Sequence, residues 1–252
     1  MNQHVCIVTG AASGIGLAIS EAFVAQKYHV FMVDRQEELL HAQAKRLGCD
    51  YVVSDISKRE DCKQLVDEVL SKAGYVDILV NVAGLQHVSS IEDFDEDKWD
   101  YMIHVMLTAP FLLTKYVWPS MKKQGWGRII HLNSIHGLVA SEFKSAYISA
   151  KHGLSGLTKV SALEGAPYGI TVNSICPAYV KTPLVDKQIA DQARLHGIDE
   201  DEVITKIMLQ KSAIKKLIKL HDIASMVMYL CTDAAEMITG STMTIDGGWT
   251  IA

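Results

Sequence analysis

The segment Thr9-Gly10-Ala11-Ala12-Ser13-Gly14-Ile15-Gly16 decides how the whole chain is interpreted. It follows the apolar run 5–8, which predicts a strand, and it opens a segment with apolar residues at helical spacing over 14–26. Glycines between a strand and a helix let the backbone turn tightly and approach a ligand closely. The first N–H groups of the helix then offer hydrogen bonds and a positive dipole end to a pyrophosphate.

The rest of the chain continues this alternation of strand and helix. Further strands are predicted at residues 29–33, 51–54, 76–80, 128–133, 170–175 and 242–245. Further helices are predicted at 36–47, 59–72, 97–121, with a kink at Pro110, and 146–166. Short apolar strands separated by helices predict a parallel sheet covered on both faces. We therefore expect an α/β fold, in which residues 1–252 form a single doubly wound, Rossmann-type domain with a seven-stranded parallel sheet.

Residues 183–212 follow the sixth predicted strand and fall outside the alternation. The segment is mostly polar, has helical spacing broken at Gly197, and is too long for an ordinary connection. In open α/β sheets, ligands bind beyond the carboxyl ends of the strands. We therefore predict that this segment is a helical lid over a substrate.

Composition argues against several classes of function. Of the 252 residues, 49% are hydrophobic and 21% are charged, and the net charge is −5. The sequence contains no basic block that would suit nucleic acid. No apolar stretch is long enough to span a membrane, and no basic segment of the signal-peptide kind precedes the first strand. The five cysteines are scattered without a CxxC pair, so neither a disulfide framework nor a metal site is expected. We expect a cytoplasmic protein with reduced thiols.

The residue that ends the second strand indicates the cofactor. Asp34 lies eighteen residues beyond Gly16, where a carboxylate accepts hydrogen bonds from the adenosine ribose and repels a 2′-phosphate. NAD is therefore expected rather than NADP. Arg35 is adjacent, but position 13 is a serine and supplies no second basic residue to help bind a phosphate. Asp55 and Ile56, at the end of the third strand, are candidates for contacting the adenine.

Three residues form a candidate catalytic set. Tyr147 and Lys151 are four residues apart on a predicted helix and share one face, and Ser134 ends the fifth strand. Oxidation of an alcohol requires a base for the hydroxyl proton, and a free tyrosine, with a pKa of about 10, is too basic to be ionised at neutral pH. A nearby ammonium and a positive nicotinamide favour tyrosinate and lower that pKa. A serine hydroxyl is suited to holding the substrate oxygen beside the tyrosine.

The chain carries five motifs along its length: the turn 9–16, Asn81-Val-Ala-Gly84, Ser134, Tyr147-Ile-Ser-Ala-Lys151 and the turn 177–182. Together they resemble the classical short-chain dehydrogenases/reductases. The resemblance implies a seven-stranded Rossmann sheet and a homotetramer formed through the two long helices. It also implies that Ser134, Tyr147 and Lys151 are the catalytic residues.

The same resemblance implies how the cofactor is bound. Lys151 would also hold the nicotinamide ribose, and residues 175–182 would border the nicotinamide. The implied cofactor-binding residues are Gly10, Ser13, Gly14, Ile15, Gly16, Asp34, Asp55, Ile56, Asn81, Ala83, Gly84, Tyr147, Lys151, Pro177, Val180 and Thr182.

Within the family, stretches such as 84–87, 136–141, 182–185 and 246–249 are similar to bacterial D-3-hydroxybutyrate dehydrogenases. A cation and polar donors on the loop between Ser134 and Tyr147 suit a small hydroxy acid. The resemblance implies that four residues bind the substrate carboxylate: Gln86, His136, Lys144 and Gln188. It implies that the substrate also contacts Tyr147, Tyr179 and an aromatic wall at Trp249.

The expected function is NAD-dependent oxidation of a small hydroxy acid, (R)-3-hydroxybutyrate to acetoacetate, with tyrosinate as the base and the small molecule as the partner. One alternative keeps the enzyme class but changes the substrate to another hydroxy acid, a sugar acid, a polyol or a 3-oxoacyl thioester. Asp34 argues against an acyl-carrier reductase, which would favour NADP. Another alternative is an NAD(H)-binding protein of low activity. The joint presence of Ser134, Tyr147 and Lys151 argues against it.

The sequence departs from the family pattern near Lys151. The family's fourth helix carries an asparagine that holds a water linking the lysine to bulk solvent, and Met106 stands there instead. A thioether is only a weak hydrogen-bond acceptor. Val82 and His131 replace two further asparagines, and Tyr179 and Ala178 stand where tryptophan and glycine are usual.

We expect the Met106→Asn variant to turn over severalfold faster than the wild type, because an amide restores a hydrogen-bond partner for the relay water. Steady-state kcat across the pH range checks this, with the KM for the cofactor as the internal control. An unchanged kcat would show that Met106 does not limit proton exchange.

Overall fold

The computed structural model describes residues 3–182, 185–186, 189–190, 193–194 and 197–252. The strands in this part of the chain are β1 Val5–Thr9, β2 His29–Asp34, β3 Asp50–Val53, β4 Ile78–Asn81, β5 Gly127–Leu132, β6 Ile170–Pro177 and β7 Thr242–Ile245. They form one parallel sheet of seven strands in the order β3-β2-β1-β4-β5-β6-β7. The predicted fold class is confirmed, with strand ends that differ from the prediction by one or two residues.

The helices cover both faces of this sheet. They are α1 Gly14–Ala25, α2 Glu37–Leu47, α3 Arg59–Ala73, α4 Glu96–Ile103, α5 Ala109–Gln124, α6 Ser145–Gly165 and α7 Leu220–Leu230. Helix α7 is not among the helices predicted from the sequence, although it buries Ile223, Val227 and Leu230 at helical spacing. None of the helices that the structure describes is long and apolar enough to cross a membrane.

The two faces of the sheet bury separate apolar clusters. Along β1, Ile7 points to the cluster shared with α3, α5 and α6, while Cys6 and Val8 point to the cluster shared with α1, α2 and α7. All five β1 residues are buried, as expected for a central parallel strand covered on both sides. Each fully buried valine, leucine or isoleucine stabilises the fold by about 1.5–3 kcal/mol.

The predicted long helix 97–121 is interrupted, and its interruption lies before Pro110 rather than at it. Residues His104–Thr108 form a π turn between α4 and α5, and Pro110 lies in the first turn of α5. Proline has no N–H for the carbonyl four residues earlier, which here belongs to Met106. The wider π turn therefore accommodates the missing hydrogen bond, and it places Met106 on a locally irregular segment.

The strand order reverses between β1 and β4, which opens a crevice at the carboxyl edge of the sheet. The Thr9 hydroxyl accepts hydrogen bonds from the backbone N–H groups of Val82 and Ala83 at 3.0 and 3.2 Å. Gly10 has φ +64°, and a Cβ on it would lie 2.9 Å from the Cα of Ala83. The two turns at this edge can therefore approach each other only because position 10 is glycine.

The predicted lid, 183–212, is described in part. A helical turn at Glu200–Glu202 runs into a π turn at Val203–Met208, and the break at Gly197 has φ +63°. A small apolar cluster forms here from Val185, Ile189, Val203 and Met208, with Tyr179 packed against it. Gln188 lies outside the described residues. The lid role and the assignment of 1–252 to one domain stay predictions.

We expect Gly16→Ala to lower the stability of the protein by about 2 kcal/mol or more, because core overpacking against rigid backbone is destabilising. A Cβ at position 16 would lie 2.2 Å from the Gly10 carbonyl oxygen. Thermal unfolding measures the effect. Gly156→Ala is the matched control, since a Cβ there meets nothing within 4 Å on α6 and should leave stability unchanged or slightly raised. Equal melting temperatures for Gly16→Ala and the wild type would contradict the packing argument.

Candidate active site

A cavity of about 380 Å³ occupies the crevice between the turns that follow β1 and β4. Its walls come from the carboxyl ends of six strands, which is where open α/β sheets bind ligands. The cavity is lined by the predicted cofactor residues Gly10, Ser13, Gly14, Ile15, Gly16, Asp34, Asp55, Ile56, Ala83, Gly84, Tyr147, Lys151, Pro177, Val180 and Thr182.

The carboxylate of Asp34 is oriented by two backbone hydrogen bonds. One oxygen accepts from the N–H of Ala12 at 3.2 Å and the other from the N–H of Gln36 at 3.1 Å. Carboxylate oxygens have further lone pairs, so Asp34 retains the capacity to accept from a ligand in the cavity. Asp55 instead accepts from the backbone and hydroxyl of Ser57 at 3.2 and 2.7 Å, which orders the turn after β3.

Arg35 is held by a residue that sequence reasoning missed. Its guanidinium donates to the Tyr101 hydroxyl at 2.6 Å and lies 5.9 Å from the centre of that ring. Tyr101 lies on α4 and also lines the cavity. It is 66 residues from Arg35 in the chain, and no local pattern marks it. Arg35 is therefore positioned at the cavity by a partner on another element.

The residues around the cavity fit a nicotinamide dinucleotide. The α1 N-terminus and the close approach of Gly16 to the Gly10 carbonyl form a backbone cradle of the kind that accepts a pyrophosphate. Asp34 lines the cavity together with Ser134, Tyr147 and Lys151. Among the described residues, no group of three or more histidines, cysteines or acidic side chains is arranged to hold a metal ion.

The predicted catalytic residues are brought together by α6 and the end of β5. The Lys151 ammonium is buried, donates to the Leu132 carbonyl at 2.7 Å and lies 5.6 Å from the centre of the Tyr147 ring. The N–H of Ser134 donates to the Asn133 side-chain oxygen at 3.0 Å, and the Asn133 amide donates to Ser155 on α6 at 2.9 Å. Asn133 thereby ties the serine to the helix that carries the tyrosine and the lysine.

Burial is the largest cause of the shifted pKa values of Lys151 and Tyr147. It lowers the pKa of Lys151 to about 8. It raises the pKa of Tyr147, and a hydrogen bond with Ser134 opposes that rise. The prediction that Lys151 lowers the pKa of Tyr147 is therefore not met by the side chains alone. Loss of hydration around the phenol outweighs the hydrogen bond, which sequence spacing does not reveal.

The predicted substrate residues Gln86, His136, Lys144 and Tyr179 line the same cavity. Lys144 is half-buried, and no carboxylate or hydrogen-bond acceptor among the described residues pairs with it. Burial lowers the pKa of Lys144. Burial and the charges of Lys144 and His152 lower the pKa of His136 to about 4, so its ring is neutral at physiological pH.

Trp249, the predicted pocket wall, is not among the residues that line the cavity, and its contact with a substrate stays a prediction. It is buried, and its ring packs edge-on against His136 at a centroid distance of 6.2 Å. The C-terminal turn is organised by Asp246, which accepts from the N–H groups of Gly248 and Thr250 at 3.0 and 2.9 Å. This turn holds the indole beside the His136 ring.

Asn81 is also absent from the cavity lining, and its role as a cofactor contact stays a prediction. It is hydrogen-bonded to His131 on the neighbouring strand, with 3.1 Å between Nδ2 and Nδ1. Burial and the charge of Lys151 lower the pKa of His131 to about 3. Asn81 Oδ1 and His131 Nε2 have no hydrogen-bond partner within the described part of the chain. Met106, in the π turn, is buried as well.

Comparisons with known proteins agree with this geometry. The family model described as enoyl-(acyl carrier protein) reductase matches residues 10–250. The chain belongs to the short-chain dehydrogenase/reductase family. It is therefore an oxidoreductase that acts on CH–OH donors, as the sequence predicted. It is 45% identical over 251 residues to the D-beta-hydroxybutyrate dehydrogenase of Rhizobium meliloti (strain 1021), covering 97% of each chain.

A second relative and a solved structure agree with this family assignment. The D-beta-hydroxybutyrate dehydrogenase of Cupriavidus necator is 39% identical over 254 residues, with 99% of this chain and 98% of the relative covered. A crystal structure of a single-residue variant of actinorhodin polyketide ketoreductase with NADPH superposes with a TM-score of 0.93 at 31% identity, covering 98% of this chain and 97% of the other. As a member of this family, the chain binds a nicotinamide cofactor.

We expect Lys151→Met to abolish activity and yet raise stability at pH 7. The pKa of Lys151 is about 8 in the folded protein and 10.5 for the ordinary lysine side chain. Below pH 8 both folded and unfolded chains hold the proton, so the full penalty of burying the ammonium applies. Between pH 8 and 10.5 the unfolded chain binds more protons, so wild-type stability rises with pH. Relief of this burial penalty should gain on the order of 2 kcal/mol at pH 7, after the cost of leaving the Leu132 carbonyl without its donor is subtracted.

Thermal unfolding of both proteins at several pH values measures this difference. The gap between them should shrink as pH rises from 8 to 10.5. Lys159→Met on the exposed face of the same helix is the control and should change neither activity nor its stability profile. A Lys151→Met variant that is less stable than the wild type at pH 7 would refute the burial argument.

Proposed function

We propose that the protein oxidises a small hydroxy acid with NAD, converting (R)-3-hydroxybutyrate to acetoacetate. The Lys144 ammonium carries this proposal. It lines the cavity that also contains Tyr147, is half-buried, and has no acidic partner among the described residues. A partly desolvated charge without a partner is unfavourable, and a substrate carboxylate would offset that penalty.

The arrangement of the cavity supports a tyrosine base. Tyr147 would take the hydroxyl proton, the Ser134 hydroxyl would hold the substrate oxygen, and the buried Lys151 ammonium would favour the tyrosinate form. NAD would supply the hydride acceptor, and its positive nicotinamide would add the charge that the side chains alone do not provide. Turnover then leaves the proton at Tyr147, from which it returns to solvent.

The choice of NAD rests on Asp34. Its carboxylate lines the cavity, and a 2′-phosphate beside it would face like charge. Arg35, the adjacent cation, is engaged by Tyr101. That contact uses one of the five guanidinium N–H donors, so Arg35 does not decide between the two cofactors. The Asp34 carboxylate is the feature that favours NAD, although the superposed ketoreductase was crystallised with NADPH.

The homotetramer and the cytoplasmic location stay proposals. Apolar side chains on α5 and α6 point outward, with Phe111 48%, Val160 47% and Leu163 78% exposed. Large exposed apolar side chains on neighbouring helices favour burial against another copy. They support association through the two long helices.

The proposal is tested by following NADH formation with D- and L-3-hydroxybutyrate, other short hydroxy acids and neutral polyols of similar size, each with NAD and with NADP. We expect the D isomer with NAD to give the highest kcat/KM. Clear NAD binding without activity on any hydroxy acid would refute the proposal. A higher kcat/KM for a neutral polyol would favour the polyol alternative.

The Lys144→Met variant tests the residue that carries the proposal. We expect it to raise the KM for 3-hydroxybutyrate about tenfold to hundredfold, since a hydrogen bond to a charged group contributes roughly 1.5–3 kcal/mol. The Lys159→Met protein again serves as the control. An unchanged KM for the acid would show that the carboxylate binds elsewhere.

A further inference from the structure

His136 is fixed at one of its two ring nitrogens by a residue outside the predicted site. Its Nε2 lies 2.8 Å from the hydroxyl oxygen of Ser141, which is partly buried on the loop before α6. The ring also packs edge-on against Tyr147 and Trp249 at centroid distances of 6.1 and 6.2 Å. Its Nδ1 has no hydrogen-bond partner among the described residues. Nδ1 is therefore the nitrogen left for a ligand.

The tautomer of the neutral ring decides what Nδ1 offers. If the Ser141 hydroxyl donates to Nε2, the ring proton is on Nδ1, and Nδ1–H can donate to a carboxylate. If Nε2–H donates to the serine, Nδ1 presents a lone pair, which repels a carboxylate. A serine hydroxyl can rotate to donate or accept, so it can support the first arrangement. The direction of the hydrogen bond between Ser141 and Nε2 is therefore coupled to whether Nδ1 attracts or repels a carboxylate.

We propose that Ser141 is a positioning residue that donates its hydroxyl hydrogen to His136 Nε2 and thereby makes His136 Nδ1–H a donor to the substrate carboxylate beside Lys144. This inference rests on the proposed function and extends it. It gives the carboxylate one charged donor and one neutral donor. A neutral histidine avoids placing a second positive charge next to the Lys144 ammonium, where like charges would repel.

Steady-state kinetics with (R)-3-hydroxybutyrate test the role of Ser141. We expect Ser141→Ala to raise KM about tenfold and to leave kcat within about twofold, because the hydroxyl acts on binding rather than on the proton transfer. Ser141→Thr keeps the hydroxyl and should restore the wild-type KM. Ser145→Ala, which removes a buried hydroxyl without a described partner two residues before Tyr147, is the matched control. A Ser141→Ala variant with unchanged KM, or with lower kcat at unchanged KM, would overturn the proposal.

Nitrogen NMR of histidine-labelled protein reads the tautomer without any substrate. The chain has 10 histidines, and the His136 signals are assigned by their loss in a His136→Gln variant. We expect Nδ1 of His136 to carry the proton in the wild type and the population to shift towards Nε2–H in Ser141→Ala. A wild-type ring protonated at Nε2 would overturn the proposal. Because this measurement needs no turnover, it stands even if the substrate panel identifies a different alcohol, so the two failures are distinguishable.

Discussion

The reversal of strand order between β1 and β4 is the constraint on which the site depends. The helices that follow β1 and β4 lie on opposite faces of the sheet, and the two turns between them are held together by direct contacts. Thr9 provides them through its hydroxyl, which accepts from two successive backbone N–H groups after β4. Gly10 permits the close approach. The cavity exists because these turns are near each other while the helices that follow them diverge to opposite faces of the sheet.

The sequence predicts those parts of the site that are local. A glycine turn between a strand and a helix, an acidic residue at the next strand end and a tyrosine and lysine one helical turn apart are short-range patterns with a physical meaning. The structure places Asp34, Ser134, Tyr147 and Lys151 on one cavity, as those patterns require. The fold class follows from the same alternation, since parallel strands need helical crossovers.

The remaining features depend on tertiary contacts that no local pattern encodes. Arg35 meets Tyr101 across 66 residues, and Trp249 at the C-terminal end packs against His136. The π turn before Pro110 arises from one missing donor, yet its position depends on how α4 and α5 pack on α6. Ser141 shows no motif of its own; only the folded loop brings its hydroxyl to the histidine.

Lys151, which is buried, and Lys144, which is half-buried, each affect a neighbouring histidine in the same manner. The charge of Lys151 helps to keep His131 neutral, and that of Lys144 helps to keep His136 neutral, with burial as the larger cause in both cases. A second cation beside either lysine would raise the energy of the folded state without a counter-charge in the protein. Each neutral ring instead takes part in a hydrogen bond, His131 with Asn81 and His136 with Ser141. The site thus limits its positive charge to groups that a bound cofactor or an acid can offset, and it uses histidine for geometry rather than for charge.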